Sequence, residues 1–210
     1  MAFGIGAATI SLNAAGGVQV TVNEAAKRVD ITIDGKPFTS YIWPDTIKKP
    51  VLYPIRDAKG TLVTRGWPLD PRPGERVDHP HHVGLWLNYE NVNGIDFWNN
   101  SDAIKPADAP KMGTILHRRI VDAKSGSDRG ELVTDSDWVL HDGKVILKER
   151  TAFVFAGDAA SRTIDRTTQL TAAEDRVVFA RGAAVTIWNP NESVANARIP
   201  RRNSFMPRSP

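Results

Sequence analysis

The sequence has no cysteine, which excludes disulfides, thiolate metal sites and thiol redox chemistry. It also lacks any apolar run near the roughly 18 residues that a membrane-spanning helix needs, so the expected class is a soluble protein with no membrane partner. The mildly apolar stretch from Ile5 to Ile10 has no basic residue before it. It fails as a secretory signal, and the chain reads as cytoplasmic or as the mature form of an exported protein. Helical periodicity is equally scarce. No window of a dozen residues sustains apolar positions three and four apart, so helices are expected to be few and short.

A broad positive surface is missing too. The formal charge is +3, but residues 181–210 hold five Arg and one Glu, which leaves 22 basic and 23 acidic side chains in residues 1–180. The basicity belongs to the tail, and the body offers no electrostatic footprint for a nucleic-acid partner. A chain of 210 residues with 41% hydrophobic residues can remove roughly 70% of its unfolded surface from water, so a real core is available.

What is present is period-two alternation. Val18-Gln19-Val20-Thr21-Val22 and Val29-Asp30-Ile31-Thr32-Ile33 place apolar side chains on one face of a pleated strand. Asp34-Gly35 joins the second run to Lys36–Trp43 as a two-residue hairpin, because Gly tolerates positive φ. Further strands are expected at Val83–Tyr89, Met112–Asp122, Gly130–Leu140, Lys144–Phe155 and Thr163–Leu170, with turns at Lys124-Ser125-Gly126-Ser127 and His141-Asp142-Gly143. The fold class is therefore all-β, an antiparallel β-sandwich over residues 1–180. Residues 181–210 are expected to form a weakly ordered basic tail, because few apolar side chains and many Pro and Arg cannot offset the ordering entropy.

Pro44, Pro50, Pro54, Pro68, Pro71, Pro73 and Pro80 mark a long ordered loop across one end of the sheets, since proline disfavours central strands. Such loops on a rigid scaffold are where sites tend to lie. Asp78-His79-Pro80-His81-His82 closes this loop and holds three of the five histidines of the chain. An extended backbone there puts His79 and His81 on one face and His82 on the other. Two imidazoles on one face act as general acid and base near neutral pH, or as two ligands of a divalent metal that needs a third from elsewhere. Asp78 is suited to orient an imidazole through its second nitrogen. The competing reading is that the histidines hydrogen-bond loop backbone and stabilise the turn.

Glu149 shares a strand face with Val145, Leu147, Thr151, Phe153 and Phe155. A carboxylate there must be paired, hydrated or neutral, so it is an acid/base group, the partner of an interior arginine, or a group at a wet sheet edge. Arg150 points to the opposite face and reads as a surface or interface cation. Arg65 and Trp67 in the loop, with Trp86, Asp96 and Trp98 after the histidines, supply rings for the apolar face of a sugar and charged groups for its hydroxyls. These aromatics near a Pro-rich loop are also ordinary packing. One of His79 and His81 is expected to lie in a concave pocket with a Trp.

The ordered set Tyr53-Pro54-Ile55-Arg56, Thr64-Arg65-Gly66-Trp67-Pro68, Asp78-His79-Pro80-His81-His82-Val83-Gly84-Leu85-Trp86 and Val92-Asn93-Gly94-Ile95-Asp96-Phe97-Trp98 resembles a bacterial family called PmoA-like, also described as a domain of unknown function. The resemblance covers about residues 15–180 and includes Glu149-Arg150-Thr151. Its name invokes a membrane-embedded methane monooxygenase subunit, which this chain without a spanning segment does not match, so the label is read as a misnomer. The resemblance implies a β-sandwich, in its larger form a galactose-mutarotase-like supersandwich, and a setting among genes for carbohydrate breakdown. It also implies further strands after about Phe179, so the chain is expected to be truncated or divergent beyond that point.

Together these readings give a carbohydrate-processing enzyme, such as an epimerase, lyase or hydrolase. His79, His81 and His82 would move protons with Glu149 as partner, and Arg65, Trp67, Asp78, Trp86, Asp96 and Trp98 would bind a sugar or another small polar substrate. No cofactor is required, unless His79 and His81 hold a divalent metal. The alternatives are a non-catalytic carbohydrate-binding module and a His-ligated metal-dependent oxygenase. Nothing in the sequence specifies an oligomeric state.

Overall fold

In the computed structural model, residues 16–99 and 104–180 are described, together with the backbone of Val185–Trp188. The first alternating runs become strands β1 (Val18–Asn23) and β2 (Arg28–Ile33), and Val18, Val20, Val29, Ile31 and Ile33 all reach the core. Asp34 and Gly35 adopt φ of 51° and 74°, the double left-handed geometry of a tight hairpin turn whose twist suits antiparallel strands. The turn feeds β3 (Lys36–Ile42), which pairs with the two-residue β4 (Val51–Leu52). Phe38 and Tyr41 lie an odd number of positions apart, yet both enter the core. Strict alternation forbids that; a register shift between Ile31 and Thr32 leaves Phe38 as the extra residue of a bulge.

The second half of the chain forms β5 (Thr114–Lys124), β6 (Arg129–Val139), β7 (Val145–Gly157) and β8 (Arg162–Ala172). The two sheets, β1-β2-β3-β4 and β5-β6-β7-β8, are both antiparallel. Leu132, Phe153 and Phe155 of the second sheet meet the inward residues of the first in one buried cluster, which makes the fold a β-sandwich. Gly130 allows the closest approach: a Cβ there would lie 2.7 Å from side-chain carbons of both Val18 and Val20. Helix among the described residues amounts to two short 3-10 turns, Glu24–Ala26 and Ala109–Lys111, and no helix is long and apolar enough to cross a membrane.

Two expectations about strands need correction. Residues 83–89 contain no strand; only Leu85 pairs, through an isolated bridge to Leu52. The reason lies at Gly84, where a Cβ would meet the Leu52 carbonyl oxygen at 2.3 Å: the segment is pressed against the end of β4 instead of lying beside a longer strand. Beyond Phe179, where strand pattern was expected to stop, Val185–Trp188 forms β10 and pairs antiparallel with β9 (Arg176–Phe179). Val185 and Ile187 alternate with polar or aromatic neighbours, a four-residue signal hidden beside an Arg- and Pro-rich stretch. The rest of the tail expected at 181–210 lies outside the described residues.

Candidate functional site

Three segments of the long loop converge beside the sandwich. The first carries Ile47, Lys49 and Val51, the second runs from Asp78 to Trp86, and the third spans Asp96 to Asn99. A satellite apolar cluster of Ile47, Val51, Tyr53 and Val83 anchors the first two segments to each other. The paired hydrogen bonds between Leu52 and Leu85, at 3.0 and 3.1 Å, lock the second to the sheet. Asp96 fixes the third. Its backbone N–H donates to Lys111 and its carbonyl accepts from Gly113, while its carboxylate accepts from the backbone of Trp98 at 2.6 Å and of Asn99 at 3.2 Å.

The histidines are not extended. The His82 N–H donates to the His79 carbonyl at 2.9 Å, closing a tight turn through Pro80 and His81, and His79 has a φ of 48°. This overturns the expectation that His82 points away from the other two. The His79 and His82 rings stack with centroids 5.0 Å apart, and His81 meets His82 edge-on at 4.5 Å. Asp78 lies 3.2 Å from His79 Nδ1, in the orienting position expected of it. Arg76 at 3.0 Å and Arg65 at 3.4 Å brace the same carboxylate. Although partial desolvation opposes the shift, His79, Arg76 and Arg65 hold Asp78 below the usual aspartate range. Arg65 also donates to the Arg76 carbonyl, so it acts as a loop brace.

His81 is the half-buried member of the trio. Desolvation, and then the neighbouring His82, His79 and Lys49, push its pKa down, against the pull of Asp96. The shift favours its neutral form, which can accept a proton. Its ring lies 6.0 Å from that of Trp98, which is 39% exposed. Trp86 does not face the histidines: its ring lies 4.3 Å beneath Lys49 Nζ. Trp67 packs within the loop, its backbone N–H donating to Glu75.

Lys49 escaped notice in the sequence because Lys48-Lys49-Pro50 looks like an ordinary solvated basic pair. The available signal was Ile47-x-Lys49-x-Val51, which in extended backbone puts Lys49 on an apolar face. All three are buried, Lys49 to 2% exposure. Its Nζ donates to the carbonyls of Trp98 (3.2 Å) and Asn99 (2.9 Å). Burial pushes its pKa down to about 7, with Asp96 opposing and Lys48 reinforcing the shift.

Glu149 is not brought to the histidines. It is 7% exposed and faces the space between the sheets, where it accepts from Trp138 Nε1 (2.8 Å), Thr151 Oγ1 (2.6 Å) and Arg166 Nη2 (2.9 Å). The adjoining cavity of about 10 Å³, which Tyr41, Thr134 and Ser136 also line, is at the lower limit for one water molecule. Arg150 on the same strand instead points outward to Asp135, as its position on β7 implied. A larger groove of about 360 Å³ lies elsewhere, on the outer face of the first sheet, between Arg28, Asp30, Ser40 and Arg56. No histidine lines either of these two cavities; the trio forms a shoulder of the loop on which His79 and His82 are exposed and His81 is half-buried. Among the described residues no group of three or more His, Asp or Glu side chains comes together as a metal cage; His79 and His81 offer two donors at most.

A family model described as a family of unknown function, DUF6807, matches residues 28–203. The match runs past position 180, where the resemblance read from the sequence ends, and it does not carry the PmoA-like label. No curated protein and no solved structure matches the chain.

Proposed function

We propose that this chain, which belongs to the DUF6807 family of unknown function, processes a sugar or sugar derivative at the His79–His82 turn. The observation that carries this reading is the half-buried His81 ring set 6.0 Å from the exposed ring of Trp98. A pyranose laid on Trp98 would present its polar edge to His81, the geometry in which an aromatic ring supplies apolar contact and an imidazole removes a proton. His79, oriented by Asp78, and the stacked His82 would return the proton. Epimerisation, elimination and hydrolysis all need this transfer. The PmoA-like resemblance, with its carbohydrate-breakdown setting and mutarotase-like supersandwich, belongs to the same proposal. In it, Glu149 is a framework residue, since its three donors already occupy it.

A panel of neutral hexoses and uronic acids tests the proposal. Trp98→Ala is expected to weaken binding tenfold or more, equivalent to about 1.4 kcal/mol, and His81→Gln to abolish turnover while retaining binding. Undiminished turnover in His81→Gln would overturn the catalytic assignment. The second reading is a non-catalytic binding module, favoured by the exposure of His79 and His82: the His79 side chain is 54% accessible. In that case the wild-type protein binds a sugar without converting it, and His81→Gln weakens binding.

A further inference from the structure

Lys49 has no place in the proton transfers just described, yet it is the most deeply buried cation among the described residues. A lysine side chain gives up rotamer freedom and hydration when buried, and here its Nζ joins all three loop segments. Lys49 itself belongs to the first, the Trp86 ring beneath it to the second, and the Trp98 and Asn99 carbonyls to the third. We propose that Lys49 is the positioning residue of the histidine site, holding Trp86 and the Trp98–Asn99 turn to one nitrogen so that the Trp98 ring is fixed beside His81. This deepens the reading of that site as a sugar site, but the geometry involves no sugar.

Lys49 acts through Trp98 and His81. At 2% exposure, with its N–H bonds directed at two carbonyls, the nitrogen is closed to a substrate. The charged groups that bear on it are Lys48, Asp96 and His81. Asp96 favours a positive charge on either Lys49 or His81, and each of those two disfavours the charge on the other. A positive charge on Lys49 therefore favours the neutral, proton-accepting form of His81. One residue thus sets both the place of the aromatic platform and the protonation state of the base.

The test needs no ligand. In full-length protein with labelled histidine and tryptophan, NMR follows the His81 imidazole and the Trp98 indole N–H from pH 5 to 9. In the wild type, the Trp98 signal is expected to move with a midpoint near the Lys49 value of about 7. Lys49→Met, which keeps the chain length without donors, should raise the His81 midpoint and shift Trp98 at every pH. Lys49→Arg, charged throughout this range, should keep the low His81 midpoint and abolish the part of the Trp98 response centred near pH 7. A Trp98 response unchanged in Lys49→Arg would overturn the proposal, and that arm stands even if Lys49→Met fails to fold. Unchanged His81 and Trp98 signals in a folded Lys49→Met would overturn it as well. Failure here would leave the sugar-binding result standing, and failure of sugar binding would leave this one standing.

Discussion

Glu149 and Lys49 are both buried charged residues, and their surroundings differ in a way that separates framework from site. Glu149 lies between two regular sheets, where Arg166 supplies an opposite charge at 2.9 Å and Trp138 and Thr151 supply neutral donors. Lys49 lies among irregular loop segments and meets two carbonyls and a ring. Among the described residues, no carboxylate reaches ion-pairing distance of it. A buried charge with a full set of partners stabilises a unique packing. One held by dipoles, a ring and a carboxylate beyond ion-pairing distance, Asp96, keeps a pKa within reach of physiological pH, as groups at functional sites often do.

The sharpest way to break this comparison is to remove one partner of the interior pair. Arg166→Ala is expected to cost about 3–5 kcal/mol, because it leaves the Glu149 carboxylate buried and unpaired. Urea denaturation measures this, and sugar binding by the folded fraction should be unaffected. A cost below about 1 kcal/mol would show that Glu149 does not depend on Arg166, which would remove the contrast with Lys49.

Gly84→Ala should cost about 1–3 kcal/mol through the clash with Leu52, and the displacement would be felt at the histidine turn. His81 signals should therefore broaden or shift although the mutation touches no imidazole. Lys49→Met should change overall stability little near pH 7, unlike Arg166→Ala, because a buried ammonium is exchanged for an apolar chain of similar length. Its effect appears in the pH dependence. The native state releases the Lys49 proton near pH 7, while the unfolded chain keeps it to about 10.5. Between these values the unfolded state binds more protons, so wild-type stability gains a rising contribution as pH increases through that window. Lys49→Met should flatten this slope.

The smallest expected effect concerns His117. Burial pushes its pKa down to about 4, with Asp135 opposing, and its Nδ1 lies 3.1 Å from the Tyr41 hydroxyl. A neutral histidine in the fold that becomes charged on unfolding contributes stability above pH 6.5, which is lost as the pH falls through 4. His117→Gln should reduce acid sensitivity in that window, as denaturation at pH 7 and pH 5 would reveal.

The sandwich was legible because its strands are half buried, so alternation in residues such as Val18, Val20, Val29 and Ile31 writes the inner face into the sequence. Glu149 was legible as a carboxylate on an apolar face for the same reason. What alternation cannot convey is the partner across the sheet: Arg166 stands on β8, and only the register of β7 with β8 brings it to Glu149. The loop obeys no period. Clustered histidines singled out one segment, but the φ of 48° at His79 turned the expected extended chain into a turn and regrouped the rings. Trp86 and Trp98 looked equivalent in sequence; long-range contacts with Lys49 take up the ring of the first and only the backbone carbonyl of the second, whose ring stays exposed.

The central claim is that the His81–Trp98 shoulder is the ligand site, and a chemical-shift titration tests it most directly. Labelled protein would be titrated with neutral and acidic monosaccharides while the histidine rings, tryptophan indoles and arginine side chains are observed together. The account predicts saturable, concerted shifts at His81 and Trp98, with Trp138 beside Glu149 silent. Shifts confined to Arg28 and Arg56 in the outer groove of the first sheet, with His81 and Trp98 unmoved at saturation, would contradict it.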